Sequence, residues 1–531
     1  MAVSAASAIA RRAFADGRTR TISFALLFAF VAVANVAGFK HSFPTLNDRL
    51  NFAHSFGGDA SVRLFYGEPH ELLTAGGYVA WRVGGFMSIF AAVWGLLAAV
   101  RALRTEEDAG RWELILAGAV RRPQALFAVL AATCAGVAVL WLASFVGLVL
   151  GGLSAGGSAY LALATVAPAP VFLGIGAVVC QLAPARRVAL ELGMAILAVL
   201  LVLRVVADTS TGAGWLRWAT PLGWSEELRA FAHPQPAVLI LPLVASVALL
   251  LIAGRIALRR DVGSGLIQTH DRTAPRLWLL SSPTALALRG ERGSLAGWLF
   301  GVGGFAVIIG VISTTFTTAK LSENLRREFA RVGGAKITTP TGALGLYFLF
   351  FVLAISLFAC SQIAAARHEE ADQQLETLLA LPVFRRRWLA GRLALALGGS
   401  IVLALVAGLL AWAGARSQGA AVSLPRMLEA GANCLPATLL FGSLSALAFA
   451  VLPRATSGIA YGLVSVAFVW QLFGSLLGMP SWLLGLSPFH HIGLVPAQSF
   501  KGLAAAIMLT VAAAGVLAAL ALFKRRDLTG H

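Results

Sequence analysis

Charge is what this 531-residue sequence has least of. Asp, Glu, Lys and Arg together make up 12%, and only five of the 42 basic residues are lysine (Lys40, Lys320, Lys336, Lys501 and Lys524). Soluble domains carry about a quarter charged residues, so a soluble fold is excluded. Disorder is excluded as well, because 58% of the residues are hydrophobic and the mean hydropathy is +0.80. Cysteine is scarce: Cys134, Cys180, Cys360 and Cys434 stand far apart in apolar stretches, which excludes a CxxC motif and a disulfide framework. The histidines, His41, His54, His70 and the pair His490-His491 among them, show no ligand spacing, so no metal site is expected. What is left is a chain that crosses a bilayer many times. The net charge of +18 and pI near 11.1 then read as inside loops obeying the positive-inside rule, with no nucleic-acid partner. Arginine-rich and rich in Ala and Gly, the composition is that of a GC-rich bacterial genome.

A spanning helix needs about 20 mostly apolar residues. Nearly uncharged runs fall at 21–39, 83–100, 124–150, 157–182, 188–207 and 236–254, then at 296–318, 343–366, 393–414, 433–452, 457–478 and 502–523. They predict an all-α polytopic membrane protein with twelve transmembrane helices, N-terminus and C-terminus inside, in a bacterial cytoplasmic (inner) membrane. Arg11, Arg12, Arg18 and Arg20 precede the first run, the order of an uncleaved first span, and predict a segment from Ile9 to Arg20 lying along the inner surface. With the N-terminus inside, the inner loops hold the larger share of Arg and Lys. One outer segment, 319–336, is basic, but Leu321, Leu325, Phe329 and Val332 fall at helical spacing opposite Lys320, Arg326, Arg327 and Arg331, as in an interfacial helix.

The two sets of six runs repeat each other. After the second run come Arg104-Thr105-Glu106-Glu107, Glu113-Leu114-Ile115-Leu116-Ala117, Val120 and Arg122. After the eighth come Arg367-His368-Glu369-Glu370, Glu376-Thr377-Leu378-Leu379-Ala380, Val383 and Arg385, at a constant offset of 263. Thr220-Pro221 returns as Ser487-Pro488, and Arg259-Arg260-Asp261 as Arg525-Arg526-Asp527. Six spans per half give both halves one orientation, so two parallel six-helix repeats are expected, 1–264 and 265–531, joined by an arginine-rich inner linker at about 258–293 that includes a surface helix.

Each repeat thus places a short amphipathic helix under its second span, at about 104–120 and 367–383. Trp112, Ile115, Leu116 and Val120 face the bundle or the bilayer there, and Leu375, Leu378, Leu379 and Phe384 do so in the second copy. Glu106, Glu107, Asp108 and Arg111 face water, as do Glu369, Glu370 and Asp372. Acids under an anionic leaflet are repelled by its surface potential. A basic protein surface docked from the cytosol compensates them, and so does a solvated helix balanced by Arg121, Arg122, Arg385 and Arg386. Two copies favour docking to a two-lobed partner.

This duplicated Glu-Glu…Glu-Leu/Thr-Ile/Leu-Leu-Ala…Arg pattern, with Ser/Thr-Pro before each sixth span and Arg-Asp closing each half, resembles ABC-2-type exporter permeases. It is similar to the fused twelve-span actinobacterial group of polyketide-antibiotic exporters, the tetronasin-resistance type. The resemblance implies coupling helices seated on a cytoplasmic ABC ATPase, two copies per permease chain. Contacts carried over by position are Arg104, Glu106, Glu107, Glu113 and Arg122, with Arg367, Glu369, Glu370, Glu376 and Arg385. Asp372 and Gln373 replace Ala109 and Gly110, so the two sites need not be equal. No Gly-x-x-x-x-Gly-Lys-Ser/Thr loop occurs in the chain, so ATP and Mg would belong to the partner, and this chain is not expected to be an enzyme.

Phe86, Phe90 and Trp94 on the second span, and Tyr347, Phe351 and Phe358 on the eighth, form aromatic stripes. They suit either a pathway for a hydrophobic small molecule or ordinary packing against lipid and neighbouring helices. The resemblance points to the first, with alternating access around a central cavity and export of antibiotic- or drug-like compounds. A secondary, ion-coupled multidrug transporter is the main rival and an ABC-type lipid exporter another. Ion coupling usually needs an ionisable group within the spans, and only Glu191 and Arg204 lie in one, near opposite ends.

Overall fold

The computed structural model describes residues 2–56, 63, 66–118, 120–209, 212–263, 265–267, 278–314, 339–474 and 481–527. Among these every regular element is a helix. An apolar segment in hydrocarbon has no water for its N–H and C=O groups, so the backbone must satisfy itself, and a helix does so within one segment.

Up to residue 273 the long helices are α1 (Ala2–Ser42), α2 (Ala75–Asp108), α4 (Arg122–Leu150), α5 (Ala155–Leu182), α6 (Arg186–Thr209) and α8 (Ile240–Ala257). The short α3 (Arg111–Leu116) comes after α2, and α7 (Pro221–Glu227) after α6. Beyond that come α9 (Pro283–Ile312), α10 (Pro340–Ala371), the short α11 (Gln374–Leu379), α12 (Arg385–Ser417), α13 (Leu424–Val451), α14 (Thr456–Gly474) and α15 (Gly502–Arg525). Starts are written in the sequence: Ser282 and Thr339 accept hydrogen bonds from the N–H groups of Ala285 and Gly342, each with proline next, at the first helical position. Among the described residues eleven helices are long and apolar enough to cross a membrane. They coincide with every uncharged run except 457–478, where α14 has 19 residues and ends at the edge of the described part.

The chain forms two compact units, the first essentially Met1–Thr273 and the second starting at Ala274. In the first, α1 lies along α4, and α2 and α8 pack on α5. Gly95 of α2 leaves no room for a Cβ against the Ala169 carbonyl, the small-residue contact that lets helices in lipid approach closely. In the second, α9 lies along α12 and α13 packs on α10 and α15. At the inner end of the second unit Trp388 stacks on Phe523 at 5.7 Å, around the buried Leu375 of α11.

Two sequence expectations change. The arginine-bearing stretch Ile9 to Arg20 is the beginning of α1 itself, continuous with the first span, because nothing in it breaks a helix. The surface helix expected to open the second half is likewise the start of α9, which runs unbroken from Pro283. The basic helix expected at 319–336 lies outside the described residues.

Both short helices start from a left-handed residue, Gly110 at φ 70° and Gln373 at φ 60°. Glycine enters that region without strain, whereas a side chain there costs about 1–2 kcal/mol. Nothing lies within 4 Å of a Cβ built on Gly110, so backbone strain alone decides the outcome. Gly110→Ala should lower stability in detergent by about 1 kcal/mol, and Gln373→Gly should raise it by up to that amount. Thermal unfolding of the two variants against the parent chain checks both signs. Two unshifted curves would mean that neither turn is held as described.

Candidate functional site: two clamped elbows and a buried charge cluster

Each elbow, a long second helix turning into a short one, is held by a carboxylate taken out of water. In the first, the side chain of Glu107 is 6% exposed and accepts from Arg260 at 2.6 Å, from the Gly263 N–H at 2.8 Å and from Arg104 at 3.3 Å. Arg104, itself 1% exposed, also pairs with Asp108 at 2.9 Å and donates to the carbonyls of Pro184 and Gly263. Arg122 donates to the Arg260 carbonyl, and Arg260 reaches Gln181 at 2.8 Å. Trp112 closes the turn by donating to the Leu103 carbonyl at 3.1 Å. The stretch Arg101–Thr105 is a widened π turn, in which Arg104 is buried.

The second elbow is built likewise. Glu370, 1% exposed, pairs with Arg526 and, at 3.6 Å, with Arg367, while Arg385 donates to the Arg526 carbonyl at 2.6 Å. Arg526 lies over the rings of Phe449 (5.0 Å) and Phe523 (5.3 Å). So Arg260 and Arg526, noticed in the sequence only as repeat markers, are the cations that make burial of Glu107 and Glu370 tolerable. Their equivalent places at the close of each repeat were the available signal.

The predicted contact residues therefore divide. Arg104, Glu107 and Glu370 are turned inward, contrary to the water-facing position expected of the two acids, and Arg122, Arg367 and Arg385 are tied into the same clamps. Glu106 is held by a two-pronged pair with Arg111 at 2.6 and 2.7 Å, and Glu369 by Arg392. Glu113 and Glu376 are exposed. Beside them stand exposed apolar side chains, Leu114 in the first unit and Leu381 and Phe384 in the second. Of the two positions expected for Phe384, bundle or bilayer, it does not take the first: it is 78% exposed because it precedes the first turn of α12, whose Trp388 and Leu389 take the inner position.

The aromatic stripes also divide. Trp94, Phe351 and Phe358 are buried within their own units: Trp94 fills the space over Gly136, Phe358 that over Gly399, and Phe351 packs on Phe305 at 5.3 Å. Phe86 is open and meets Phe90 edge-on at 5.1 Å, and Tyr347 is half-buried.

A charge cluster in the first unit was missed. Arg204 does not pair with Glu191, which holds Arg187 instead at 2.8 Å. It is buried, with Asp208 at 3.3 Å, Glu226 in contact and the Gly85 carbonyl at 3.2 Å. Arg217 binds Asp208 at 2.8 Å and Glu68 at 2.6 Å, and Arg229 binds Glu227 at 2.9 Å. Four carboxylates thus face three guanidiniums. Burial, with repulsion from Asp208, pushes the Glu226 carboxyl up to about 8, against the opposing pull of Arg204 and Arg217. The signal was weak in sequence, since Glu226 and Arg204 come from segments 22 residues apart and only folding joins them.

Eleven described helices long and apolar enough to cross a bilayer define a multi-pass membrane protein, here with two clamped elbows. Residues 70–259 and 280–524 match the family described as "Multidrug efflux system permease Rv1217c, C-terminal domain", and the chain belongs to that family. It is 31% identical over 514 residues to the multidrug efflux system permease protein Rv1217c of Mycobacterium tuberculosis (strain ATCC 25618 / H37Rv), covering 94% of this chain and 91% of that protein. It is a multi-pass membrane permease of the ABC-2 exporter type.

The clamp and the charge cluster can each be tested by stability. Removing one partner of a buried ion pair costs about 3–5 kcal/mol. Glu370→Gln should therefore lower the unfolding midpoint in detergent far more than Glu376→Gln, and equal midpoints would refute the clamp. For Glu226, a folded-state value above the ordinary one means that stability is full below about pH 4.5 and is lost as pH rises through about 8. The parent chain should lose thermal stability between about pH 4.5 and 8, and Glu226→Gln should flatten that loss.

Proposed function

We propose that this chain is the membrane subunit of an ATP-driven exporter for hydrophobic or amphipathic drug-like molecules, built as twelve spans in two parallel six-helix repeats with both termini inside. The observation that carries this is the matched pair of clamped elbows, each with an exposed acid and exposed apolar side chains, in a chain of an efflux-permease family. Two copies of a separate cytoplasmic ABC ATPase would seat on Glu113 with Leu114 and on Glu376 with Leu381 and Phe384, and would supply the ATP and Mg. Arg104, Glu107, Arg122, Arg367, Glu370 and Arg385 then hold the docking helices and do not touch the partner. Of the aromatic candidates, Phe86, Phe90 and Tyr347 keep a place in substrate contact, and specificity comes from apolar shape more than from charge.

A second reading, proton-coupled drug transport, is favoured by one feature, the protonatable Glu226 beside Arg204 and Asp208. Inverted membrane vesicles holding the chain with the ATPase encoded beside it separate the two. Accumulation of a fluorescent apolar dye should require ATP and survive a protonophore, and the ATPase should co-purify. Glu113→Arg combined with Glu376→Arg should release the ATPase and reduce uptake at least about tenfold while leaving the unfolding midpoint unchanged. Uptake driven by a proton gradient without ATP, with no ATPase bound to the chain, would favour the second reading.

A further inference from the structure

The first unit contains a half-open cavity of about 320 Å³ at the inner end of α1, walled by α1, α2, α3 and α4. That is within the range of small-molecule sites, about 300–1,000 Å³. Its apolar walls include Ile9, Phe24, Leu97, Ile115 and Val129, and five charged side chains line it. Three of the five have partners: Arg12 pairs with Asp16 at 3.7 Å, and Glu106 is held by Arg111. The other two, Arg20 and Arg101, make no ion pair among the described residues, and Arg20 faces a third arginine, Arg186, as well as Arg101. Arg101 has Glu106 nearby, but Arg20 has two guanidiniums against it beside an apolar cavity, an arrangement that an anion relieves.

Their depth says what kind of anion. Arg20 immediately precedes the uncharged run 21–39 and Arg101 comes immediately after 83–100, so both stand at the inner boundary of the hydrocarbon, where lipid phosphates lie. Phe24, Leu97, Trp94 and Gly136 extend the cavity from that level toward the bilayer interior.

The second unit shows the same place filled by its own side chain. Arg392, 263 residues after Val129, is 2% exposed and reaches Glu369, the counterpart of Glu106, and Glu291 at 3.8 Å. Where one unit closes the space between its first helix and its elbow with an arginine, the other leaves it open, apolar and rimmed with unpaired positive charge.

We propose that this cavity binds an acidic phospholipid of the inner leaflet, its phosphate on Arg20 and Arg101 and part of one acyl chain between α1, α2 and α4. The lipid would then rest against Glu106 and Ile115, so its presence stiffens the first elbow and not the second. The proposal needs the membrane location and N-in orientation but not the ATPase, so it can fail or stand independently of the exporter reading.

Native mass spectrometry of the purified full chain in detergent, titrated with phosphatidylglycerol or with phosphatidylcholine of the same acyl chains, tests it. The parent chain should retain one phosphatidylglycerol at lipid concentrations where phosphatidylcholine is lost. Arg20→Gln with Arg101→Gln should weaken that retention by about tenfold or more, from the loss of two phosphate-facing cations. Val129→Arg, which installs the plug of the second unit, should displace the lipid by filling the cavity while both arginines remain. Arg387→Gln, an exposed arginine of the second unit, serves as the control for general surface charge. Equal retention of the two lipids, or equal losses in Arg387→Gln and the double variant, overturns the proposal. So does release by millimolar inorganic phosphate alone, since a site for phosphate would not need the acyl groove. If Val129→Arg unfolds, the double variant against Arg387→Gln still decides.

Discussion

A carboxylate buried beneath the second span is the constraint on which the inner half of each unit depends. Taking an ionised glutamate out of water costs several kcal/mol and is tolerated only against a cation in good geometry. Glu107 and Glu370 each meet that condition through an arginine that lies just past the last long helix of the unit, Arg260 after α8 and Arg526 after α15. The pair therefore joins the second long helix to the last, and the unit is closed on itself at its inner end. Arg122 and Arg385 add the start of the third span by donating to the carbonyls of those same arginines. Three helices thus converge on one buried charge, and the short helix between them has no freedom to swing.

Around that shared device the two units have diverged. The turn before the short helix uses glycine in one and glutamine in the other at the same left-handed conformation. At the offset that relates Thr220 to Ser487, the buried Arg204 becomes Gln471 and Glu226 becomes Gly493, so the charge cluster belongs to the first unit alone. At the inner end the asymmetry is reversed: the second unit buries Arg392 where the first has Val129. Each unit thus carries one extra buried arginine, at opposite ends. An arginine in such a place fixes local geometry, because the cost of leaving it unpaired exceeds that of any small rearrangement.

The apolar runs were legible in the sequence because they are a property of long segments, which single side chains hardly disturb. Span boundaries came out well at Pro340 and Arg122, where a proline or a charge marks them, but not at Pro283, where the helix starts well before the uncharged run. Depth within the protein was less legible. Glu106 and Glu107 are neighbours in sequence with the same chemistry, yet one pairs locally with Arg111 and the other is buried against Arg260, far along the chain. Nothing local distinguishes them. The widened turn at Arg101–Thr105 departs from the ideal helical period, and helical-wheel reasoning on that period cannot anticipate it. Trp94 and Phe358 illustrate the converse: an aromatic stripe was visible, but the glycines that receive it, Gly136 and Gly399, sit on another helix and turn it into packing.

Clamping also bears on how a partner could act on the permease. An exposed ion pair at the rim of an interface contributes little, about 0–1 kcal/mol, so Glu113 and Glu376 alone would hold nothing tightly. Affinity in protein interfaces comes mainly from apolar anchors that lose water on contact, with the charges setting orientation and approach rate. Leu114, Leu381 and Phe384 are of that kind, and each is more than half exposed beside an acid. On the proposed reading, a push delivered to these side chains cannot be absorbed by bending the elbow, because the elbow is fixed to its unit by Arg104, Glu107 and Arg260 or by Glu370 and Arg526. The displacement must pass to the whole unit. A mobile docking helix would dissipate the stroke of an ATPase, and a buried carboxylate that ties three helices together is a means of preventing it.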